Sequence, residues 1–222
     1  MKVTSTLTMV ATAALLLVAG TACEHPSQSL AAVTSSAAEA DGATLYVNYC
    51  QQCHGVDGEG NAGVGAPSIA GLPEWYVDRQ LHKFYDGVRG THFDDIMGMK
   101  MRPMARTLTN DGQRDRVSAY VAEMKVGRQV ATLDGDVEKG KASYATCAAC
   151  HQANGMGNEA LNAPPIAYAD DWYMLTQLKH FKGGVRGADP RDIEGAQMAP
   201  MSRTLADEQA MKDVIAYVRS LN

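Results

Sequence analysis

Cys50-Gln51-Gln52-Cys53-His54 and Cys147-Ala148-Ala149-Cys150-His151 are two copies of one pentapeptide, Cys-x-x-Cys-His, set 97 residues apart. Two thiols three residues apart occupy neighbouring positions of a helical turn, each in reach of one vinyl group of a porphyrin. The histidine that follows is then held beneath the iron. This is the attachment signature of c-type haem. A Cys-x-x-Cys pair alone also suits half of a zinc site or a redox dithiol. Here four of the five cysteines fall in full copies of the motif, and each pair brings its own histidine. Two covalently bound haem c groups are therefore expected, on Cys50, Cys53, Cys147 and Cys150, with His54 and His151 as proximal iron ligands.

The rest of the chain repeats with the motif. Shifted by 97 residues, Ala142 to Leu221 lies on Leu45 to Met124 without a gap, with identities that include Pro67/Pro164, Trp75/Trp172, Tyr76/Tyr173, Gln80/Gln177, Phe84/Phe181 and Arg89/Arg186. A period this long is domain-sized, too long for a solenoid. Each copy contains three stretches that read as helix. In the first copy they run from about Ala43 to Cys53, from about Pro73 to Tyr85 with Tyr76, Gln80, Leu81 and Phe84 at helical spacing, and from about Asp111 to Met124 with Val117, Tyr120, Val121 and Met124 on one face. Strand-like alternation is absent, so the fold class is all-α. The layout is a signal peptide (1–22), a flexible tether (23–40), domain 1 (41–124), a linker (125–136) and domain 2 (137–222).

Lys2 and the apolar run Val10 to Ala19 read as a secretory signal, which places the mature chain in the periplasm, where c-type haem is attached. Small residues precede Cys23 as in a lipobox, although Gly20 stands where such a box has an aliphatic residue; ordinary cleavage after Ala22 or near Ala31 is the alternative. A lipid on Cys23, anchoring the protein to a membrane, gives that odd cysteine a role. From Glu24 to about Ala40 the chain is mostly Ser, Ala and Thr, as suits a tether.

The sixth iron ligand is sought among 12 methionines. Met124, Met174 and Met211 read as core. Only Met101/Met198 and Met104/Met201 recur at matched positions, just before the repeated Arg-Thr-Leu, while His82, His92 and His180 have no histidine partner in the other half. A methionine thioether opposite histidine raises the reduction potential and closes the iron to substrate.

Taken together, Cys-x-x-Cys-His, Gly-x-Gly, the Pro-centred loop, Tyr then Gln-Leu and Phe on one helix, Gly-x-Arg, and Met ahead of a last helix with Ala-Tyr resemble the dihaem class I cytochromes c of the cytochrome c4 type. The resemblance implies two tandem cytochrome c domains related by a pseudo-two-fold, haem propionates near the domain interface, and passage of electrons to terminal oxidases. It also implies that the ligand methionine stands seven residues before the leucine that opens the last helical region, which selects Met101 and Met198 as metal ligands. Pro67 and Pro164 are implied to shape the loop on the proximal histidine side, where a backbone carbonyl accepts the imidazole N–H. Arg89 and Arg186 suit a propionate or a carboxylate at the interface. Trp75 and Trp172 suit packing against core or haem.

Net charge is −5, with 20 basic and 25 acidic side chains, so nucleic acid is not an expected partner. Glu39 to Met124 carries 8 basic and 12 acidic residues against 9 and 10 in Val137 to Asn222, a field that can orient the molecule on a basic redox partner. The expected role is electron transport between a quinol-oxidising complex or dehydrogenase and a terminal oxidase. An enzyme of the peroxidase or thiosulfate-oxidising type would need one iron to lose its methionine, and the methionines repeat, so no catalytic residue is expected. A fixed electron-transfer subunit of a membrane complex would differ only in mobility.

Overall fold

The computed structural model describes residues 40–127 and 129–221. The expected signal peptide and the tether up to residue 39, Cys23 included, lie outside the described residues. The first half contains α1 (Gly42–Tyr49), α2 (Gln51–His54), α3 (Glu74–Tyr85), α4 (Ile96–Thr107) and α5 (Asp111–Glu123). The second contains α6 (Val137–His151), a 3-10 turn (Glu159–Leu161), α7 (Asp171–Gly183), α8 (Ile193–Arg203) and α9 (Glu208–Arg219). Extended pairing among the described residues is confined to the isolated bridges Asn61 with Ala66 and Asn158 with Ala163. No helix among them is long and apolar enough to cross a membrane.

Side-chain caps fix the helix starts. Asp41 accepts from Thr44 N, Asn110 from Gln113 N, and Asp207 from Ala210 N; each satisfies a backbone donor that the first turn leaves free. The first and last helices of each half cross at a glycine. A methyl group on Gly42 would run into the Arg116 carbonyl, and one on Gly140 into that of Asp213, so no larger residue permits this approach. Leu45, Tyr46, Leu81, Phe84, Ala105, Leu108, Val117 and Val121 form the first core; Tyr144, Met174, Leu205, Met211, Val214, Ile215 and Val218 form the second. Met174 and Met211 are core residues as expected, and Met124 packs against the first core.

Two features differ from the sequence reading. The stretches between the second and last predicted helices are themselves helical, α4 and α8, started by the buried Asp95 and Asp192, which accept from Gly98 N and Gly195 N. Both continue through a proline, Pro103 and Pro200, at the loss of one backbone hydrogen bond each. The second difference is one of register. Tyr46 and Tyr144 are twins: their hydroxyls donate to the Gly55 and Gln152 carbonyls at 2.7 Å in both cases, and their rings meet Tyr120 and Tyr217. They stand 98 residues apart, while Gly55 and Gln152 stand 97 apart. The gap-free repeat therefore starts at the cysteine motif, and Leu45 does not match Ala142. The extra residue of the first half is absorbed where the helix breaks at Cys50, between α1 and α2, whereas α6 runs unbroken through its own motif.

Tyr46 is fully buried, so its hydrogen bond is shielded from water. Tyr46→Phe is expected to cost about 1 kcal/mol of stability, read as a lower denaturation midpoint of the haem-loaded protein. An unchanged midpoint would show that the bond contributes nothing.

The linker is held by the second half. Thr132 and Leu133 donate backbone N–H groups to the Asp171 carboxylate, Thr132 adds its hydroxyl, and Arg219 donates to the Gln129 carbonyl. Across the halves, Ser68 N donates to Asp170 at 2.7 Å.

Candidate functional site

A cavity of about 530 Å³ runs through both halves. Cys50, Cys53, His54 and Met101 line it from the first half, and Cys147, Cys150, His151 and Met198 from the second. The structure thus brings the expected attachment cysteines, histidines and methionines of both halves to the wall of a shared space.

Both histidines are buried, 8% and 7% exposed. Each sets Nδ1 2.8 Å from a proline carbonyl, Pro67 O for His54 and Pro164 O for His151. A carbonyl only accepts, so Nδ1 is the protonated nitrogen and Nε2 keeps its lone pair, the tautomer a metal ligand needs. Burial holds both imidazoles below their usual pKa, against the opposing pull of the carbonyls, and so keeps them neutral.

Cys50 and Cys147 are not set up as thiolates. Burial, helped by Cys53, pushes the Cys50 thiol up to about 12, and burial raises Cys147 as well. A redox dithiol or zinc ligand needs the thiolate. Among the described residues no three His, Cys, Asp or Glu side chains converge as a metal-holding group, as a zinc ribbon would require.

Met101 and Met104 both line the cavity, as do Met198 and Met201. They differ in burial. Met101 packs against the first core and Met198 is half-buried, while Met104 and Met201 are 36% and 39% exposed.

Arg89 and Arg186 are buried rather than on the surface, and they bridge the halves. Arg89 donates to Gln80 at 2.7 Å and to Gln177 at 3.4 Å; Arg186 donates to Gln177 at 2.6 Å. Their guanidinium groups lie 4.3 Å over the rings of Phe84 and Phe181. Burial, and then Arg89 beside it, pulls the Arg186 pKa down. The Nε of each arginine is buried without a hydrogen-bond partner. Two buried cations, each with an orphaned donor, on the wall of a largely apolar cavity fit a planar apolar group that carries carboxylates. The size also falls in the range of small-molecule sites, roughly 300–1,000 Å³. Haem fits the residues present.

Trp75 lines the cavity, half-buried, with its ring edge-on to Tyr76 and Arg79 over its face. The sequence reading missed Tyr76 and Tyr173 as site residues. They sit against Arg89 and Arg186 and line the cavity, and their recurrence was the signal available for them.

Comparison with known proteins agrees with this geometry. The sequence profile for cytochrome c matches residues 39–125 and 137–222, and the chain belongs to the cytochrome c family. Within that family it is similar to dihaem class I members. It is 29% identical over 200 residues to a cytochrome c4 of Stutzerimonas stutzeri, covering 84% of this chain and 91% of the relative. It is 31% identical over 210 residues to the thiosulfate dehydrogenase electron acceptor of Stutzerimonas stutzeri strain A1501, covering 84% and 90%. The crystal structure of reduced recombinant cytochrome c4 from Pseudomonas stutzeri superposes with a TM-score of 0.66 over 82% of this chain and 97% of that one, at 23% identity, which speaks to the fold. Two cytochrome c domains imply two covalently bound haem c groups, and the protein is a dihaem electron carrier.

Proposed function

We propose that this chain carries electrons in the periplasm from a dehydrogenase or quinol-oxidising complex to a terminal oxidase, with thioether attachment at Cys50, Cys53, Cys147 and Cys150 and axial ligation by His54 with Met101 and His151 with Met198. The observation that carries this reading is the sameness of the two halves: each brings a neutral, carbonyl-anchored imidazole and a half-buried methionine to the wall of the shared cavity. When bound, each haem supplies a one-electron couple whose potential the methionine thioether raises. The protein's own residues do the rest. Pro67 and Pro164 orient the histidines and strengthen them as donors, Arg89 and Arg186 offer buried N–H groups to carboxylates, and the cores exclude water. Similarity to a protein named for accepting electrons from thiosulfate dehydrogenase supports a dehydrogenase as the source. A lipid on Cys23 would hold the carrier at the membrane beside such partners.

The mature protein purified from membranes tests this reading. Its mass is expected to include two haems and an N-terminal lipid, and its oxidised spectrum the weak red band of methionine on ferric haem in both sites, with no high-spin signal. A high-spin iron at rest overturns the carrier assignment, and a free-thiol or absent Cys23 overturns the anchor.

A further inference from the structure

The repeat is broken at matched places on the interface between the halves. By the 97-residue shift, Arg79 corresponds to Thr176, Lys83 to His180, Asp95 to Asp192, Met97 to Glu194 and Gly65 to Asn162. On one edge these residues form a cross-domain network. Lys83 Nζ lies 2.5 Å from Asp192 Oδ1 and 2.6 Å from Glu194 Oε2; Arg79 Nη1 lies 3.0 Å from Glu194 Oε1 and 2.7 Å from Asn162 Oδ1. Lys83 is 8% exposed and Asp192 1%, so water does not screen the pair.

The related edge carries no such ion-pair network; its cross-half bond is Ser68 N to Asp170, the residue ahead of α7, at 2.7 Å. His180 Nδ1 stands 3.7 Å from Asp95 Oδ1, buried and without a hydrogen-bond partner. Burial lowers its pKa, Asp95 and Asp94 pull it up, and Arg186 and Arg89 push it down, which leaves the ring neutral and the edge without an ion pair. Thr176 turns its hydroxyl back to the Trp172 carbonyl of its own helix, and Met97 covers Gly65.

We propose that Lys83, Arg79 and Glu194 form a one-sided clamp that fixes how the two halves dock, and that they are positioning residues for electron transfer between the halves, while the edge at His180 and Asp95 has no ion-pair network and is held more weakly. Charge and geometry support this. A lysine buried against two carboxylates, one of them shared with an arginine, orients two rigid bodies in a way a neutral imidazole at 3.7 Å does not. Removing one partner of a buried pair leaves the other charge uncompensated, so loss of the clamp favours separation.

The experiment uses the haem-loaded protein. Arg79→Thr with Glu194→Met copies Thr176 and Met97 into the clamp; Lys83→Met removes its cation and Lys83→Arg keeps it. The proposal rests on the carrier reading only for its kinetic readout. The wild type and Lys83→Arg are expected to unfold in one calorimetric transition and to scatter X-rays as one compact particle. The double variant and Lys83→Met are expected to unfold in two transitions, to show a larger radius of gyration, and to equilibrate electrons between the haems at least roughly tenfold more slowly, with the spectrum of each site unchanged. Should Lys83→Met fail to fold, the double variant decides. Single transitions and wild-type scattering in the clamp variants overturn the proposal, as does a Lys83→Arg protein that behaves like Lys83→Met. Abnormal spectra in the wild type would instead count against the carrier reading.

Discussion

Replacing Cys50, Cys53, Cys147 and Cys150 by alanine, which prevents covalent attachment, is expected to abolish the cooperative thermal unfolding of both halves. The two cores double as cavity walls: Leu81, Phe84, Leu108, Val117 and Val121 in the first half, and Met174, Phe181, Leu205, Val214, Ile215 and Val218 in the second, line the shared space. Side chains that face a void lose dispersion contacts on that side. At about 24 cal/mol per Å³, a void of about 530 Å³ costs on the order of 13 kcal/mol as an upper bound. That equals the whole stability of an ordinary domain, about 5–15 kcal/mol. Small domains have little surplus core to offset such a loss. Restricting the change to Cys50→Ala with Cys53→Ala is expected to melt the first half while the second retains its transition. Calorimetry and circular dichroism of the purified variants decide, and a sharp melt in the four-alanine protein would refute the argument.

What the sequence made legible follows from what repeats. The cysteine motifs, the recurring methionines and the prolines that meet the histidines were visible because both halves need the same chemistry at those points, and the helix faces of Tyr76 to Phe84 and Val117 to Met124 because their apolar spacing is regular. The helices α4 and α8 were not visible: Gly98 and Pro103, or Gly195 and Pro200, are residues that argue against helix on propensity. Buried aspartate caps and the need to present a methionine to the cavity override that preference. The one-residue slip before Cys50 was hidden because it falls where identities are sparse. The clamp was hidden for a deeper reason. It is built from Arg79, Lys83, Asn162 and Glu194, whose counterparts Thr176, His180, Gly65 and Met97 differ in kind, and a search for sameness passes over the positions at which two copies have diverged to hold each other.

Met101→His and Met198→His are expected to lower the reduction potential of their own half by a few tenths of a volt, within the ~0.8 V that axial ligands span, and to remove the red band of that half. The corresponding changes at Met104 and Met201 are expected to leave both in place. Burial supplies the reason. Met101 stands four residues before Ala105, which is 0% exposed, and Met198 stands four before Ser202, at 1%. On a helix residues at that spacing share a face, so each of these methionines continues the inward stripe of its helix. Met104 and Met201 stand one residue before Ala105 and Ser202, a step of about a hundred degrees around the helix, and are the more exposed pair. A potentiometric titration of the four single variants separates the alternatives. If Met104→His and Met201→His lower the potential while Met101→His and Met198→His do not, the ligand role passes to the outer pair, and α4 and α8 must rotate on haem binding to bring those side chains inward.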